Sequence, residues 1–178
     1  MPAPDTVRPQ LPFIHCPGCG ARGPAVEGGN HMRCNVCGFE YFHNAAAAAT
    51  GLILYREQVL LVRRARDSQK GLLDLPGGFV GHDESLDGAL ARELREELGL
   101  AVDASALRYL GSHHNRYPYS GVTYYICDAY FVLRLSSPEG LRAQDDVEDF
   151  QWWPLNALPW KQIAFPTIRW ALERLRRG

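Results

Sequence analysis

Apolar residues recur every four positions between Ser85 and Gly99, and this repeat predicts an amphipathic helix. The repeat consists of four leucines: Leu86, Leu90, Leu94 and Leu98. Because an α-helix turns once every 3.6 residues, these side chains share one face that can be buried. We expect the helix to begin near Ser85 and to end at Gly99, since glycine is the usual residue just past a helix C-terminus.

Short apolar runs on either side of this helix predict strands. The run Ala45 to Tyr55 is ambiguous at its alanines, which favour helix, but it leads into a β-type apolar run. Further strands are predicted at Val59 to Arg63, Asp74 to Val80, Leu107 to Gly111, Val122 to Leu135 and Phe150 to Trp153. Ser136 to Asp146 is a polar loop, and Pro166 to Arg177 a C-terminal helix. This order predicts an α/β fold, a mixed sheet with helices on both faces.

Composition limits what the chain can be. Its 178 residues, 46% of them hydrophobic, are enough for one core and a small additional module. The net charge of −1 gives no overall attraction to nucleic acid or membranes. The run Ala45 to Tyr55 is too short to cross a bilayer, and the first residues lack the features of a signal peptide. We therefore expect a cytoplasmic protein with no membrane partner.

Four of the five cysteines form two C-x-x-C pairs. The first pair is Cys16 and Cys19, and the second is Cys34 and Cys37. In a cytoplasmic chain two such pairs predict a tetrahedral, structural Zn²⁺ site, because four thiolates leave no coordination position open. Redox chemistry is the competing interpretation, but it needs only one pair. Cys127 lies in an apolar and aromatic run, so we expect a buried thiol.

The cysteine positions also define the predicted domains. Residues 1–12 are a proline-rich lead that we expect to be flexible, 13–43 a zinc ribbon, and 44–178 the main domain. Met32-Arg33 and Phe39 to Phe42 are predicted short strands of the ribbon.

Acidic side chains cluster beside the leucine face of the predicted helix. Glu93, Glu96 and Glu97 fall within an arc of about 100°, with Arg92 next to them. Like charges at this spacing repel each other, and a hard cation such as Mg²⁺ or Mn²⁺ would relieve the repulsion. A solvated acidic face is the alternative for an isolated cluster of this kind.

The wider spacing around this cluster resembles the Nudix box. Gly78 is followed after five residues by Glu84, and after seven more by Arg92-Glu93-Leu94-x-Glu96-Glu97-x-Gly99-Leu100. Every fixed position of the box is present. The chain is therefore similar to the Nudix hydrolases. This resemblance implies a Nudix α/β/α sandwich with a mixed sheet, here preceded by the small zinc-ribbon module.

The resemblance also implies a reaction and roles for residues. Nudix hydrolases use water and a divalent metal to cleave nucleoside diphosphates linked to another moiety. Glu93 and Glu97 are expected to bind Mg²⁺ or Mn²⁺ directly, while Glu96 shares that role or positions the water. Arg92 is expected to orient a glutamate through a salt bridge, with Glu84 in an outer role. The glycines Gly77 and Gly78 would let backbone amides approach the site.

A zinc ribbon before such a domain resembles the NADH pyrophosphatase type of Nudix hydrolase. That group carries the motif S-Q-P-W-P-F-P-x-S after the box, and this chain reads S-H-H-N-R-Y-P-Y-S at residues 112–120. Ser112, Pro118 and Ser120 agree, and Tyr117 keeps an aromatic ring, but the central Q-P-W-P does not match. NADH or NAD⁺, ADP-ribose and other nucleotide-linked diphosphates therefore remain comparable substrate candidates.

Other candidate contacts have two interpretations each. Arg63, Arg64 and Arg66 either bind substrate phosphates or form a solvated strand end. Tyr117 and Tyr119 either stack on a base or serve as ordinary loop residues, and His113 and His114 either reach a phosphate or lie on the surface. Trp152 and Trp153 are predicted core or interface residues.

One further carboxylate is a candidate in the acidic segment after the polar loop. Glu148 is either an extra metal ligand or general base, or one member of a solvated group with Asp145, Asp146 and Asp149.

A different class of function is a nucleotide sensor or a nucleic-acid-binding regulator. Two features count against it: no glutamate of the box is missing, and the ribbon has only Arg22 and Arg33 as basic residues. Removal of a nucleotide cap from RNA is a hybrid that stays open. Otherwise the expected partner is a small nucleotide-diphosphate substrate, and a homodimer is expected because relatives are often dimers.

Overall fold

The structure, a computed structural model, describes residues 13–23, 25–27, 30–65, 69–119 and 122–177, with residues 25–27 and 119 described by backbone alone. The predicted lead at 1–12 and the candidate Arg66 lie outside the described residues. The chain divides into two compact units, Met1–Ala45 and Ala46–Gly178.

The first unit contains a three-stranded antiparallel sheet. Its strands are β1 (Ala25–Glu27), β2 (His31–Arg33) and β3 (Glu40–Phe42), and β2 lies in the middle. The two predicted ribbon strands are confirmed as β2 and β3, while β1 was not predicted. The imidazole of His31 stacks on the ring of Phe42 across the β2–β3 pair, with centroids 4.4 Å apart.

The second unit is built on a seven-stranded mixed sheet. The strands are β4 (Ala46–Tyr55), β5 (Gln58–Arg64), β6 (Leu73–Asp74), β7 (Gly77–Phe79), β8 (Arg108–Tyr119), β9 (Val122–Arg134) and β10 (Val147–Pro154). The main order is β10-β5-β4-β9-β8, with β6 beside β5 and β7 beside β4. The sheet is mixed because β4 and β9 are parallel whereas the other pairs are antiparallel.

Two helices cover opposite faces of this sheet. Helix α1 (Leu86–Leu98) packs in one apolar cluster and α2 (Pro166–Arg177) in the other. Strand β4 contributes to both clusters: Ile53 belongs to the α1 cluster, whereas its neighbours Leu52 and Leu54 belong to the α2 cluster. Side chains alternate between the two faces of a strand, so one apolar strand supplies both cores. The predicted α/β/α sandwich is confirmed.

The ends of α1 follow from its flanking residues. The Ser85 hydroxyl accepts a hydrogen bond from the Gly88 amide at 3.2 Å, which caps the N-terminus. Gly99 ends the helix in the left-handed conformation, with φ 65°, which glycine adopts without strain. The predicted helix is confirmed, except that Leu86 at the start of the apolar repeat is 38% exposed.

Several predicted strand limits were wrong. The segment from Ser112 was interpreted as a loop, but it continues β8 and pairs residue by residue with β9 as far as Tyr119. The single strand expected at Asp74 to Val80 is two short strands, β6 and β7, which pair with different neighbours. Strand β10 begins at Val147, so Glu148 lies within a strand, at a bulge, rather than in a loop.

Predictions for single side chains had mixed outcomes. Cys127 is exposed, so its assignment as a buried thiol was wrong; β9 places it on the face opposite to its buried neighbours Ile126 and Asp128. Trp152 and Trp153 pack against the α1 and α2 clusters respectively, as expected for core aromatics. A membrane-spanning helix needs about 20 apolar residues, and no helix in the described part of the chain has that length and hydropathy.

Candidate active site

A cavity of about 320 Å³ opens in the second unit, at the end of the sheet near β7. This volume lies within the range of small-molecule binding sites. Its polar and glycine lining includes Thr50, Arg64, Asp74, Gly77, Gly78, Glu97, Asn115, Asp128, Asp146 and Thr167. Apolar and aromatic residues complete the wall, among them Phe79, Tyr117 and Phe165.

The glycine pair of β7 allows close approach on both of its sides. A side chain at Gly77 would overlap the carbonyl oxygen of Ala49 and come within 2.8 Å of Thr50 Cα, and Gly77 has φ 143°. A side chain at Gly78 would overlap the carboxylate of Glu93. Gly77 therefore requires glycine, whereas the lack of a side chain at Gly78 makes room for the Glu93 carboxylate, because β7 runs directly between β4 and the acidic face of α1.

Glu97 is the most buried carboxylate of α1. It is 7% exposed, lines the cavity, and its Oε2 accepts a hydrogen bond from the Gly77 amide at 2.9 Å. The pKa of Glu97 is raised from 4.5 to about 8, mainly by burial and also by the nearby carboxylates Glu93, Asp74 and Asp146, against the lowering effect of the Gly77 amide. The site therefore gathers carboxyl groups in a weakly solvated place.

Arg92 connects the other acidic residues of the box. Its guanidinium contacts Glu84 Oε1 at 2.7 Å, Glu93 Oε1 at 2.8 Å and Glu96 Oε2 at 3.0 Å, and also donates to the Phe79 carbonyl at 3.1 Å. Hydrogen bonds from Arg92 lower the pKa of Glu84 to about 2. Burial raises the pKa of Glu93, although Arg92 opposes the rise. The expected salt bridge of Arg92 is present, and it involves three glutamates rather than one.

The donor set suits a hard divalent cation. Glu97, Asp74 and Asp146 all line the cavity, and Glu93 and Asp74 are near enough to raise the pKa of Glu97 by repulsion. A divalent cation bound by these oxygens would remove that repulsion, and oxygen ligands are those that Mg²⁺ and Mn²⁺ prefer. Glu93 and Glu97 would hold it, while Arg92 occupies one oxygen of Glu93 and one of the half-exposed Glu96.

The structure separates the remaining predicted residues. Tyr117 lines the cavity. Arg64 lines it rather than Arg63, whose guanidinium donates to the Gly71 carbonyl at 2.8 Å and contacts Asp149 at 3.3 Å. Glu148 is exposed and absent from the cavity lining, where Asp146 takes its place.

Of Tyr119 the structure describes the backbone alone, so its predicted contact with a base is not tested.

Sequence reasoning missed three cavity residues that come from strands β6, β8 and β9. Asp74 and Asp128 are each 7% exposed, and Asn115 lies on β8. A signal was present for Asp128, because an acidic residue stands between apolar neighbours in a long β-type run. For Asn115 the sequence predicts a loop, so the alternation that directs Asn115 and Tyr117 to the same side of a strand was missed.

A separate cluster in the first unit consists of the four predicted zinc cysteines: Cys16, Cys19, Cys34 and Cys37. Their sulfur atoms all lie within 4.8 Å of one another. Cys16 and Cys37 are 3.7 Å apart, as are Cys19 and Cys34, and none of the four forms a disulfide. Among the described residues, no other group of three or more histidine, cysteine, aspartate or glutamate side chains has its ligand atoms this close together.

Both halves of the cluster have the same turn geometry. The Gly20 amide donates to the Cys16 carbonyl at 2.8 Å, and the Gly38 amide donates to the Cys34 carbonyl at 2.9 Å. Backbone amides also point at the first sulfur of each pair, from Gly18 at 3.3 Å and Val36 at 3.4 Å. Four clustered sulfurs, two of which accept amide hydrogen bonds, could hold a metal ion with thiolate ligands.

The second unit is similar to known proteins over most of its length. Residues 45–171 match the family model described as NUDIX domain. A Pseudomonas aeruginosa protein named NAD-capped RNA hydrolase NudC is 33% identical over 144 residues, covering 81% of this chain and 49% of the relative. The chain thus spans about half the length of that relative.

Two further matches cover most of the length of the matched protein. An ADP-ribose pyrophosphatase of Methanocaldococcus jannaschii is 34% identical over 125 residues, covering 70% of this chain and 69% of that protein. The crystal structure of a MutT NUDIX hydrolase from Burkholderia pseudomallei superposes with a TM-score of 0.64 and 26% identity, covering 74% of this chain and 98% of that one.

Proposed function

The chain belongs to the Nudix family, and from that premise we propose that it is a metal-dependent hydrolase that cleaves the diphosphate link of a nucleoside diphosphate derivative. The observation that carries this proposal is the buried Glu97, held by the Gly77 amide in a cavity shared with Asp74 and Asp146. An arrangement that crowds carboxylates at the mouth of a substrate-sized cavity suits metal-assisted attack of water on a diphosphate.

We assign Mg²⁺ or Mn²⁺ as the catalytic metal. When bound, such an ion neutralises phosphate charge and lowers the pKa of water. Glu93 and Glu97 would bind the ion, and Glu96 would share that role or orient the water. Arg92 keeps Glu93 and Glu96 in position through its short contacts, and Glu84 fixes Arg92 in turn. Gly77 and Gly78 keep the space beside these carboxylates free of side chains.

Of the sequence candidates Arg63, Arg64 and Arg66, we propose Arg64 for the phosphate contact, because it lines the cavity. Arg64 donates to Asp74 at 2.7 Å and to the Tyr117 hydroxyl at 3.3 Å, and its guanidinium lies over the Phe165 ring at 5.1 Å. This arrangement holds a fixed positive charge at the cavity wall, where it can bind a phosphate oxygen.

For the cysteine cluster we propose a structural Zn²⁺. Four thiolates complete a tetrahedral shell, so the ion would stabilise the first unit rather than take part in the reaction. The homodimer expected from relatives stays a prediction, which sedimentation analysis of the purified protein would check.

The substrate candidates are NADH or NAD⁺, ADP-ribose and similar molecules. ADP-ribose is supported by the Methanocaldococcus jannaschii relative, which this chain matches over most of its length. The decisive experiment is a hydrolysis panel with Mg²⁺ and with Mn²⁺, in which phosphatase treatment of the products reports cleavage of the diphosphate link.

Matched variants make this panel specific to the site. Glu93→Gln and Glu97→Gln should each reduce kcat by roughly 100-fold or more while the fold is kept, because each removes a charged ligand. Glu139→Gln, in an exposed loop, should leave kcat unchanged. Full activity of Glu97→Gln would contradict the assignment of the catalytic metal.

The second candidate is removal of a nucleotide cap from RNA. It is favoured by the similarity to the NAD-capped RNA hydrolase of Pseudomonas aeruginosa. A capped oligonucleotide in the same panel would test it, since release of the cap at a rate above that for free NAD⁺ and a steep salt dependence would indicate an RNA substrate. A nucleotide sensor, the remaining alternative, would bind nucleotides without hydrolysing any of them.

A further inference from the structure

The cavity contains a second polar group that the hydrolytic site does not use. It consists of Asn115 on β8, Asp128 on β9 and Thr167 in the first turn of α2. These residues come from three elements that are distant in sequence, and all three line the same cavity as Glu97.

Asp128 is the centre of this group. It is 7% exposed, and its Oδ2 accepts a hydrogen bond from the buried Tyr130 hydroxyl at 3.3 Å. Burial raises the pKa of Asp128 to about 6, while hydrogen bonding from the Asn115 amide lowers it. Two side chains thus support a carboxylate that points into a cavity, and a buried carboxylate is costly unless it has partners.

Thr167 is the third member of the group. It is 4% exposed and lines the cavity, and its hydroxyl lies beside that of Tyr130: burial raises the pKa of this phenol, and hydrogen bonding with Thr167 opposes the rise. A hydroxyl has one donor hydrogen and two acceptor lone pairs, so Thr167 can bond to Tyr130 and to a ligand in the cavity at the same time.

The position of Asn115 distinguishes this chain from the motif of the NADH pyrophosphatase type. In S-Q-P-W-P-F-P-x-S the fourth residue is tryptophan, and here it is Asn115. The side chain that faces the cavity is therefore an amide beside a carboxylate, where the motif has an indole. The aromatic surface of the cavity is kept by Tyr117 and Phe165, whose ring centroids are 6.0 Å apart.

We propose that Asn115, Asp128 and Thr167 form a base-recognition subsite that selects substrates whose base carries an exocyclic amino group. The inference rests on the proposed function, because the base is that of the nucleoside diphosphate substrate. The Asp128 carboxylate accepts from the amino group, while the Asn115 amide and the Thr167 hydroxyl pair with the adjoining ring nitrogen or carbonyl. A base with a carbonyl in place of the amino group would bind more weakly, because two acceptor oxygens would face each other without a hydrogen between them.

Binding of nucleoside monophosphates tests this subsite without any turnover. AMP and GMP are each compared with IMP, which lacks both amino groups, and CMP is compared with UMP. In the presence of Mg²⁺, calorimetry should show at least one amino base binding about tenfold or more tightly than its counterpart. Asp128→Asn and Thr167→Val should each bring that ratio towards one.

Arg116→Gln is the matched control, because Arg116 is the exposed neighbour of Asn115 on β8. It should keep the ratio of the wild-type protein. Thermal unfolding of each variant shows whether the fold is kept, and Thr167→Val provides the test if Asp128→Asn unfolds. The proposal is overturned if the amino bases and their counterparts bind equally, if no monophosphate binds, or if both variants keep the original ratio.

Calorimetry and the hydrolysis panel together separate this inference from the proposed function. Discrimination between bases without hydrolysis of any diphosphate would support the subsite and contradict the enzyme. Hydrolysis with equal rates and affinities for every base would support the enzyme and contradict the subsite.

Discussion

Glu97 links the acidity of the site to the stability of the protein. Its pKa is raised, so the folded protein binds a proton more tightly than the unfolded chain between its ordinary 4.5 and about 8. Stability that depends on this proton is present below pH 4.5 and is lost as the pH rises through that interval. The pKa of Asp128 is raised to about 6, so Asp128 also makes the stability fall as the pH rises, over a lower pH interval than Glu97.

We therefore expect the free energy of unfolding, without added Mg²⁺ or Mn²⁺, to fall between pH 6 and 8, with Glu97 contributing at most about 1.4 kcal/mol per pH unit. Urea titrations across this range measure it. Glu97→Gln should flatten the slope, and saturating Mg²⁺ should do the same for the wild-type protein because the ion favours the ionised carboxylate. An equal slope in Glu97→Gln would show that other groups cause it. No chelator is used, since it would also remove a metal from the cysteines.

The two glycines of β7 give a contrast between backbone and side-chain overlap. Gly77→Ala would place Cβ against the backbone of Ala49 and Thr50, at a φ that alanine rarely adopts. It should destabilise the fold by several kcal/mol. Gly78→Ala would meet only the end of the Glu93 side chain, so it should lower kcat by about tenfold or more with a smaller loss of stability. Thermal unfolding and kinetics separate the two, and equal destabilisation by both would contradict this account.

At the scale of elements, α1 depends on its N-terminal cap to present Glu93 and Glu97. Ser85→Ala removes the acceptor for the Gly88 amide and should reduce the free energy of unfolding by about 1 kcal/mol. Ser136→Ala, at an exposed serine in a loop, is the control and should change it by less than about 0.5 kcal/mol. A similar effect of both substitutions in urea titrations would show that the cap contributes little.

Helix α1 was predictable from sequence because its signals are local. The leucine repeat, the terminating glycine and the spacing of the glutamates all lie within one continuous segment. The part of β8 after Gly111 was not, because these residues are strand only through pairing with β9, and no short-range pattern marks the two histidines and the proline as β-structure. Sequence reasoning thus named Glu97, Gly77 and Gly78, which line the cavity, whereas it missed Asn115, whose place in the cavity depends on that pairing.

At the scale of the whole molecule, the two units should differ in their response to metals. We expect a single zinc ion per chain, bound by the four clustered thiols. Cys34→Ser should abolish zinc binding and lower the thermal stability of the first unit, because metal binding and folding are coupled in such modules. Zinc content by mass spectrometry measures the first effect.

The fifth cysteine provides the control for this experiment. Cys127→Ser changes an exposed thiol outside the cluster and should leave the zinc content unchanged. Full zinc content in Cys34→Ser, or loss of zinc in Cys127→Ser, would contradict the assignment of the site.

The parallel pairing of β4 with β9 sets the order in which the chain can fold during synthesis. It joins residue 46 to residue 126 at the centre of the sheet, whereas the cysteine cluster joins residues at most 21 positions apart. Closing a long loop costs more entropy and slows folding. The first unit can therefore form while the ribosome is still translating the second. The central sheet has to wait for β9 to leave the exit tunnel, so the apolar β4 and β5 are the segments most exposed to chaperones and to aggregation in the interval.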